Sequence, residues 1–214
     1  VQVENITCIY QTTQNYTTSS ETLWVNVTEA ANQAPIITDI SNIPAQSITE
    51  ASTTSVEFSV LATDNDGVAN LNDTSLNATF SKAGETTRFN SSCSWISDTN
   101  TTTANYTCSI GLWYWDSAGT WNVNATIIDL SNAQSPAYNE TFTLSETAAM
   151  VMSPTLLNWG TLYPENTNNL SISDPIIVNN TGNKNITSGN LRVNAINLIG
   201  EQQSSYIIPA ANFT

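Results

Sequence analysis

The stretch Trp121-Asn122-Val123-Asn124-Ala125-Thr126-Ile127 alternates apolar and polar side chains without a break. Successive side chains of an extended strand point to opposite faces of a sheet, so this stretch has one apolar face and one polar face. We therefore predict a β-strand that buries the tryptophan, the valine, the alanine and the isoleucine. Its polar face presents Asn124, the first residue of an Asn-Ala-Thr glycosylation sequon, to solvent.

Similar runs, rich in Val, Ile, Thr, Phe and Trp, recur about every ten residues and are bounded by turn-forming residues. No segment combines a sustained helical period with capping residues. Short strands at regular spacing are typical of sandwiches, so the sequence predicts an all-β chain of tandem immunoglobulin-like β-sandwich domains. Examples of these predicted strands are Ser55–Asp64, Ser75–Ala83, Asn105–Tyr114, Gly119–Asp129, Asn139–Ser145, Ile176–Asn180 and Leu191–Leu198.

Two changes in composition divide the chain into three parts. Ala30–Pro35 reads as a linker and Ser145–Pro154 as a second junction. Residues 33–145 have room for seven strands, the size of one immunoglobulin-like β-sandwich. Residues 146–214 are expected to form a second sandwich, whose last strands lie beyond the chain or come from a neighbouring molecule.

An internal repeat explains residues 1–32. Asn5-Ile6-Thr7-Cys8 followed by Trp24 parallels Asn105-Tyr106-Thr107-Cys108 followed by Trp121, and matching elements lie 97 to 101 positions apart. We therefore predict that residues 1–32 are the closing strands of a preceding module, which places part of that module upstream of Val1. The alternative is an N-terminal polar extension with accidental similarity.

The chain is unusually poor in charge. Charged residues make up 10% of the sequence and the net charge is −14, because there are only four cations, Lys82, Arg88, Lys184 and Arg192. Four cations cannot neutralise a phosphate backbone, which argues against nucleic-acid binding. Ser, Thr and Asn fill 84 of the 214 positions, so neutral polar groups must keep the protein in solution.

Fourteen Asn-x-Ser/Thr sequons occur, about twice the number expected by chance from this composition. Their excess and even spread predict N-linked glycans on a secreted, cell-surface protein. Such a coat would shield exposed strand edges that few charges protect. The predicted glycosylation sites are Asn5, Asn15, Asn26, Asn72, Asn77, Asn90, Asn100, Asn105, Asn124, Asn139, Asn169, Asn179, Asn185 and Asn212.

The chain has three cysteines. Cys93 and Cys108 flank a loop of fourteen residues, and a disulfide between them would tie two strands at the base of a hairpin. Its effect on the entropy of the unfolded chain would be about 3 kcal/mol. Cys8 matches Cys108 in the repeat, so its partner is expected upstream; an intermolecular disulfide is the alternative.

Two motifs could bind a ligand. Asp64, Asp66 and Asp73 surround a tight Gly67 turn and could hold calcium, although a plain Asx turn would have the same residues. Trp113-Tyr114-Trp115 could form an aromatic platform for sugar, although strand alternation makes at least one of the rings structural.

Enzyme functions fit poorly. The sequence contains no histidine, which removes the usual general base, the Ser-His-Asp triad and histidine zinc sites. No window reaches the roughly 20 apolar residues of a membrane-spanning helix. We expect no catalytic activity, no membrane span in this segment, and no cofactor besides N-linked glycans and the candidate calcium.

Two sets of residues resemble a known group of proteins. The Asp64-Asn65-Asp66-Gly67 turn and the Gly119-Thr120-Trp121-Asn122-Val123 strand resemble the cadherin-like and polycystic-kidney-disease-like (PKD-like) immunoglobulin folds repeated in archaeal surface glycoproteins. Leu157-Asn158-Trp159-Gly160-Thr161-Leu162 and the Asn180-Thr181-Gly182-Asn183 turn are similar to another such repeat. The resemblance implies an extracellular structural protein that self-assembles with identical or neighbouring chains into a surface layer or filament. The alternative is a surface adhesin or carbohydrate-binding stalk that uses the aromatic cluster.

Overall fold

The structure, a computed structural model, describes residues 2–15, 17–27, 30–90, 93–161, 163, 170–172 and 175–212. Its only helical elements in these ranges are two short 3-10 turns, Val68–Asn70 and Ala210–Asn212. The strands are β1 (Gln2–Tyr10), β2 (Ser19–Val27), β3 (Ile36–Ile40), β4 (Thr53–Thr63), β5 (Asn77–Ser81), β6 (Arg88–Asn90), β7 (Ser94–Asp98), β8 (Thr103–Trp113), β9 (Gly119–Thr126), β10 (Tyr138–Leu144), β11 (Met150–Ser153), β12 (Ile177–Asn180), β13 (Leu198–Ile199) and β14 (Ile207–Ile208).

Strands β3 to β10 form an antiparallel β-sandwich. One sheet has the order β3-β4-β8-β7, and the other has the order β10-β9-β5-β6. The two central strands of the first sheet pair without interruption from Thr53 opposite Trp113 to Thr63 opposite Thr103. The predicted all-β, immunoglobulin-like fold is confirmed.

The core lies between the inward faces of the two sheets. The residues from Thr103 to Leu112 alternate between half-buried and buried side chains, as a strand in the middle of a sandwich should. Phe80 of the opposite sheet packs against Phe58 and Phe142, with ring centroids 5.5 and 4.7 Å away. The four inward side chains predicted for β9 are confirmed, since Trp121, Val123, Ala125 and Ile127 are all buried.

The segment after β3 closes one edge of the sandwich. Gln46 forms a parallel bridge with Leu144 at the end of β10. The Gln46 N–H donates to Thr143 O at 2.9 Å, and the Ser145 N–H donates to Gln46 O at 2.8 Å. The chain therefore passes from the edge of one sheet to the edge of the other, which leaves fewer unpaired backbone groups for a neighbouring molecule.

The N-terminal residues form a separate two-stranded sheet. Strands β1 and β2 pair antiparallel in continuous register, from Gln2 opposite Val27 to Tyr10 opposite Ser19. Their repeat equivalents, β8 and β9, lie in different sheets of the sandwich. The assignment of residues 1–32 to a preceding module stays a prediction.

The residues after the sandwich form two small sheets, in which β11 pairs with β12 and β13 pairs with β14. The predicted strand Leu191–Leu198 is wrong, because strand structure begins only at Leu198. Leu191, Val193 and Ile196 are exposed, and their stretch pairs with no other strand among the described residues. An alternating pattern without a pairing partner is not enough to make a strand. The second sandwich at 146–214 stays a prediction.

Candidate functional sites

Three predicted glycosylation sites share the outward face of the β10-β9-β5-β6 sheet. Asn124 lies directly opposite Asn139, and its Nδ2 donates to the Asn139 Oδ1 at 2.8 Å. Asn77 lies one strand away, opposite Thr126 of the Asn124 sequon. Asn77 and Asn139 are exposed and Asn124 is half-buried. Sugars here would stand outside the core, as the alternation of β9 predicts.

Two further sites lie in loops and share one geometry. Asn72 Oδ1 accepts hydrogen bonds from the backbone N–H of Thr74 at 3.3 Å and from its hydroxyl at 2.9 Å. Asn100 Oδ1 accepts the equivalent bonds from Thr102 at 2.9 and 3.0 Å. Both are Asx turns in which the two reactive groups of the sequon, the amide and the hydroxyl, face each other.

Two sites are restricted by the fold. Asn105 lies in the middle of β8, opposite Leu61 on one side and Ser97 on the other. Its Oδ1 is buried and has no hydrogen-bond partner. Asn179 is exposed, but the hydroxyl residue of its sequon, Thr181, is buried.

The other predicted glycosylation sites are distributed over strands, exposed positions and one position outside the described residues. Asn5, Asn26 and Asn90 belong to strands β1, β2 and β6, while Asn15, Asn185 and Asn212 are exposed; Asn169 lies outside the described residues.

At the N-terminal end of the sandwich, residues 32 and 33 are bound by two carboxylates, of which Asp129 is buried and Asp66 is exposed. Asn32 Nδ2 donates to Asp129 Oδ2 at 2.7 Å, and the Gln33 N–H donates to Asp66 Oδ2 at 2.6 Å. Asn70 Nδ2 bridges Asn32 Oδ1 and Asp64 Oδ2. The amide hydrogen bond from Asn32 is the main cause that lowers the pKa of Asp129 below its ordinary value. We call this set the N-terminal junction.

The three aspartates proposed as calcium ligands do not come together. Asp64 Oδ1 accepts the Asp66 N–H at 2.8 Å, which is the plain Asx turn that the sequence also allowed. Asp73 instead accepts the Tyr106 hydroxyl at 2.7 Å, and burial and this carboxylate together raise the pKa of Tyr106. No group of three or more His, Cys, Asp or Glu side chains in the described ranges is placed to hold a metal ion.

At the opposite end, the turn after β12 is packed into a second junction. Thr181 is buried; its Oγ1 donates to Glu50 Oε1 at 2.6 Å, and its carbonyl accepts the Ala51 N–H at 3.0 Å. Asn183 Oδ1 accepts the Thr147 N–H at 2.6 Å, and Asn183 Nδ2 donates to Ser145 O at 3.0 Å. We call this set the C-terminal junction.

Gly182 is required at the centre of the C-terminal junction. A Cβ atom on this residue would lie 2.2 Å from the Thr147 carbonyl oxygen and 2.9 Å from the Ala149 nitrogen. Both neighbours are backbone atoms, which cannot rotate away. The Asn-Thr-Gly-Asn turn therefore brings its backbone against the linker at a distance that only glycine permits.

The aromatic triplet ends β8 and begins the turn to β9. The rings of Trp113 and Trp115 are stacked, with centroids 4.7 Å apart and planes 13° apart. Tyr114 meets Trp115 edge-on and packs against the core. Trp113 and Trp115 are 40% and 52% exposed, so Tyr114 is the structural ring and the tryptophans form a surface stack.

Two of the four cations hold this aromatic turn, residues 113–118. Arg88 pairs with Asp116, whose carboxylate is fully buried and also accepts the Trp113 N–H at 2.7 Å. Lys82 Nζ donates to Ser117 Oγ at 2.8 Å and to the carbonyls of Ser117 and Ala118. Nothing in the local sequence pattern indicated these contacts, because the partners lie 28 to 36 residues apart.

The disulfide between Cys93 and Cys108 is confirmed, with Cα atoms 4.4 Å apart. It joins the residue before β7 to the centre of β8, beside the pairing of Ser94 with Thr107. Cys8 is exposed and is not part of a disulfide in the chain. None of the helices in the described residues is long and apolar enough to cross a membrane.

The sequence matches no protein-family model and no curated protein. Among solved structures, the chain is similar to the PKD domain of an M14-like peptidase from Thermoplasmatales archaeon SCGC AB-540-F20. The identity is 20%, the TM-score is 0.34, and the match covers 53% of this chain and 98% of that domain.

Proposed function

We propose that this chain is a structural segment of an extracellular, N-glycosylated assembly, a cell-surface layer or filament, in which consecutive β modules are joined rigidly. The observation that carries the proposal is the C-terminal junction. There, Thr181 and Asn183 bond both to the linker after β10 and to the loop before β4.

A flexible tether would not need these contacts. Linkers between independent domains are exposed, polar and free of tertiary hydrogen bonds. In this chain a glycine without space for a side chain, the Thr181 N–H bond to Ala149 O and two hydrogen bonds of the Asn183 side-chain amide fix the path of residues 145–149. A fixed path sets the direction of the next module, which is what a protein that supplies length and shape requires.

The sequon distribution supports an exterior role. Asn77, Asn124 and Asn139 would cover one face of the sandwich with sugar, and this face has no charged side chains on the paired stretch of β9. A sugar layer there would hinder pairing between sheets of neighbouring molecules and would restrict ordered contacts to faces without sugar. The proposal includes no catalytic role, because the chain has no histidine and no assembled acidic site in the described residues.

Electron cryo-microscopy of the native cell surface tests this function. We expect ordered lattices or filaments that contain the sandwich, with a constant angle between consecutive modules and extra density at the sequon asparagines. Isolated stalks with variable angles between modules and no contacts between copies would contradict it.

A second function, carbohydrate binding, is favoured by the aromatic turn. Rigid, exposed tryptophan rings offer apolar faces on which sugar rings stack, and Lys82 and Arg88 hold the turn in place. Oligosaccharide titration should then change the tryptophan fluorescence of the wild type and of Trp95→Ala but not of Trp115→Ala. An equal response in both variants, or none in the wild type at millimolar sugar, would contradict this function.

A further inference from the structure

Glycan transfer makes two demands on a sequon. The Asn Nδ2 attacks C1 of a lipid-linked sugar phosphate, the new C–N bond replaces the C–O bond, the phosphate leaves with the electron pair, and Nδ2 loses one proton. The transferase must bind the asparagine amide and the Ser/Thr hydroxyl together, so both groups must be reachable in a chain segment that is free to enter its site. The folded chain meets these demands at some sequons and not at others.

Asn72 and Asn100 come closest to meeting both demands in the folded chain. In each, the asparagine Oδ1 already accepts a hydrogen bond from the hydroxyl of its own sequon threonine. The asparagine Nδ2 donates a hydrogen bond to none of the described residues. Asn100 is exposed at the tip of the β7–β8 hairpin, and Asn72 is half-buried in the loop after the first 3-10 turn. Neither sequon lies within a β-strand. The Asn72 sequon is held more tightly than the Asn100 sequon, because the Asn72 N–H donates to Ile128 O at 3.1 Å and Asp73 accepts the Tyr106 hydroxyl.

Asn105 fails the demand for a free segment. Its sequon runs along β8, which pairs with β4 on one side and β7 on the other across the same residues. The middle residue, Tyr106, is fully buried, and the disulfide at Cys108 lies one residue beyond the sequon threonine. A paired core strand opens only in nearly global unfolding.

Asn179 pairs with Val151 in the two-stranded β11-β12 sheet, and it also fails the demand for a free hydroxyl. The Thr181 hydroxyl donates to Glu50 Oε1, and Thr181 is 6% exposed inside the C-terminal junction. Transfer to Asn179 therefore requires that the junction be open, although the sandwich itself can stay folded.

We propose that the fold sorts the sequons by time of modification. Asn72 and Asn100 accept glycans on the folded chain, Asn105 accepts one only before β8 is paired, and Asn179 accepts one only before the C-terminal junction closes. This sorting rests on the proposed N-glycosylation but not on assembly into a layer or filament. The glycan occupancy of each site would then depend on how fast that part of the chain folds after secretion.

The test uses the full chain produced without glycans and folded with its disulfide intact. A purified oligosaccharyltransferase and a lipid-linked oligosaccharide are added, and site occupancy is followed by peptide mass spectrometry. We expect transfer at Asn72 and Asn100 to be at least about a hundredfold faster than at Asn105, because local opening of a core strand is rare. The same chain, reduced and unfolded, should accept glycans at all four sites. Glu50→Ala should raise the folded-state rate at Asn179 and leave Asn105 unchanged.

Transfer to Asn105 in the folded chain as fast as to Asn100 would overturn the sorting while leaving glycosylation intact. An unfolded chain that accepts no glycan would overturn the glycosylation itself.

A second measurement does not require the chain to be folded without its sugars. In secreting cells, the variant with Cys93→Ser and Cys108→Ser should show higher occupancy at Asn105 and unchanged occupancy at Asn72, and unchanged occupancy at Asn105 would also overturn the sorting.

Discussion

The two ends of the sandwich hold their linkers by different chemistry. At the N-terminal junction, Asn32 and Gln33 donate hydrogen bonds to the carboxylates of Asp129 and Asp66. At the C-terminal junction, Asn183 exchanges neutral amide hydrogen bonds with the linker after β10. The N-terminal junction depends on carboxylate acceptors, whereas the C-terminal junction combines one carboxylate acceptor, Glu50, with close backbone packing around Gly182.

This difference has a physical consequence for each end. Hydrogen bonds to a carboxylate are stronger than neutral ones, but they weaken when the carboxylate is protonated. Close packing around a glycine is insensitive to pH but tolerates no added atoms. Acid should therefore loosen the N-terminal junction and leave the backbone packing around Gly182 unchanged, and a single methyl group on Gly182 should open the C-terminal junction.

The largest effect is expected from Gly182→Ala. The added Cβ would overlap the Thr147 carbonyl oxygen at 2.2 Å, so the turn must move away from the linker. We expect the hydrogen-exchange protection of the Ala51 and Thr147 amides to fall by at least about a hundredfold, which corresponds to an overpacking cost of roughly 3 kcal/mol.

Gly160→Ala is the matched control, because no atom lies within 4 Å of the Cβ it would add. It should leave the protection of both amides unchanged. Equal protection in Gly182→Ala and the wild type would show that the C-terminal junction is open in solution.

The second effect comes from Asp129 and depends on pH. Asn32 holds the pKa of this carboxyl below its ordinary value of 3.8. A depressed pKa means that Asp129 contributes stability that is fully present above pH 3.8 and is lost as the pH falls through the lower, folded value. The Asn32 side-chain amide NMR signals should therefore shift at acid pH, below 3.8.

Asp129→Asn should abolish this acid transition and reduce the protection of the Ala133 amide, which donates to Asp129 Oδ1 at 2.8 Å, by about tenfold. The Thr147 amide, bonded to the neutral Asn183, serves as the internal reference and should show no transition in that pH window. A transition of equal size at the Thr147 amide would mean that the two junctions respond to acid in the same way.

The sequence predicted the sandwich better than it predicted the junctions. The strand alternation and the Cys93–Cys108 pair depend on residues close together in the chain, and local patterns record them. The strands β3, β6 and β7 are short and lack a clear alternation, so no local pattern specified their bounds. The contact of Asn32 with Asp129 spans 97 positions, and that of Thr181 with Glu50 spans 131, so neither leaves a local signal.

The sequence nevertheless held one signal of the C-terminal junction. Gly182 lies in the Asn-Thr-Gly-Asn turn, which resembles a turn of other surface repeats. A glycine is needed there because the backbone contacts Thr147, and that contact exists only in the folded structure. The calcium prediction shows the reverse case. Asp64, Asp66 and Asp73 are close in sequence, yet Asp73 bonds to Tyr106 and the described residues contain no metal-holding cluster.

The third effect comes from the Thr181 hydroxyl. Thr181→Val keeps the side-chain volume and removes the donor to Glu50 Oε1, while Thr181→Ser keeps the donor. We expect the valine variant to lower the protection of the Ala51 amide about fivefold, equal to a net hydrogen bond of about 1 kcal/mol. The serine variant should lie closer to the wild type, and equal loss in both would assign the effect to packing instead of the hydroxyl.

The smallest effect is expected from the ion pair between Lys184 and Glu146, which also crosses the C-terminal junction. Its N–O distance is 2.7 Å, but both side chains are more than half exposed, at 51% and 59%. Water screens exposed pairs, so Lys184→Met should change the protection of the Thr147 amide by less than about twofold. Added salt screens the ion pair of the wild type, so the wild type and the variant should then show the same protection. The contacts other than this ion pair would then hold the junction. A tenfold or larger loss in this variant would instead make both ends of the sandwich electrostatic, and the contrast between them would disappear.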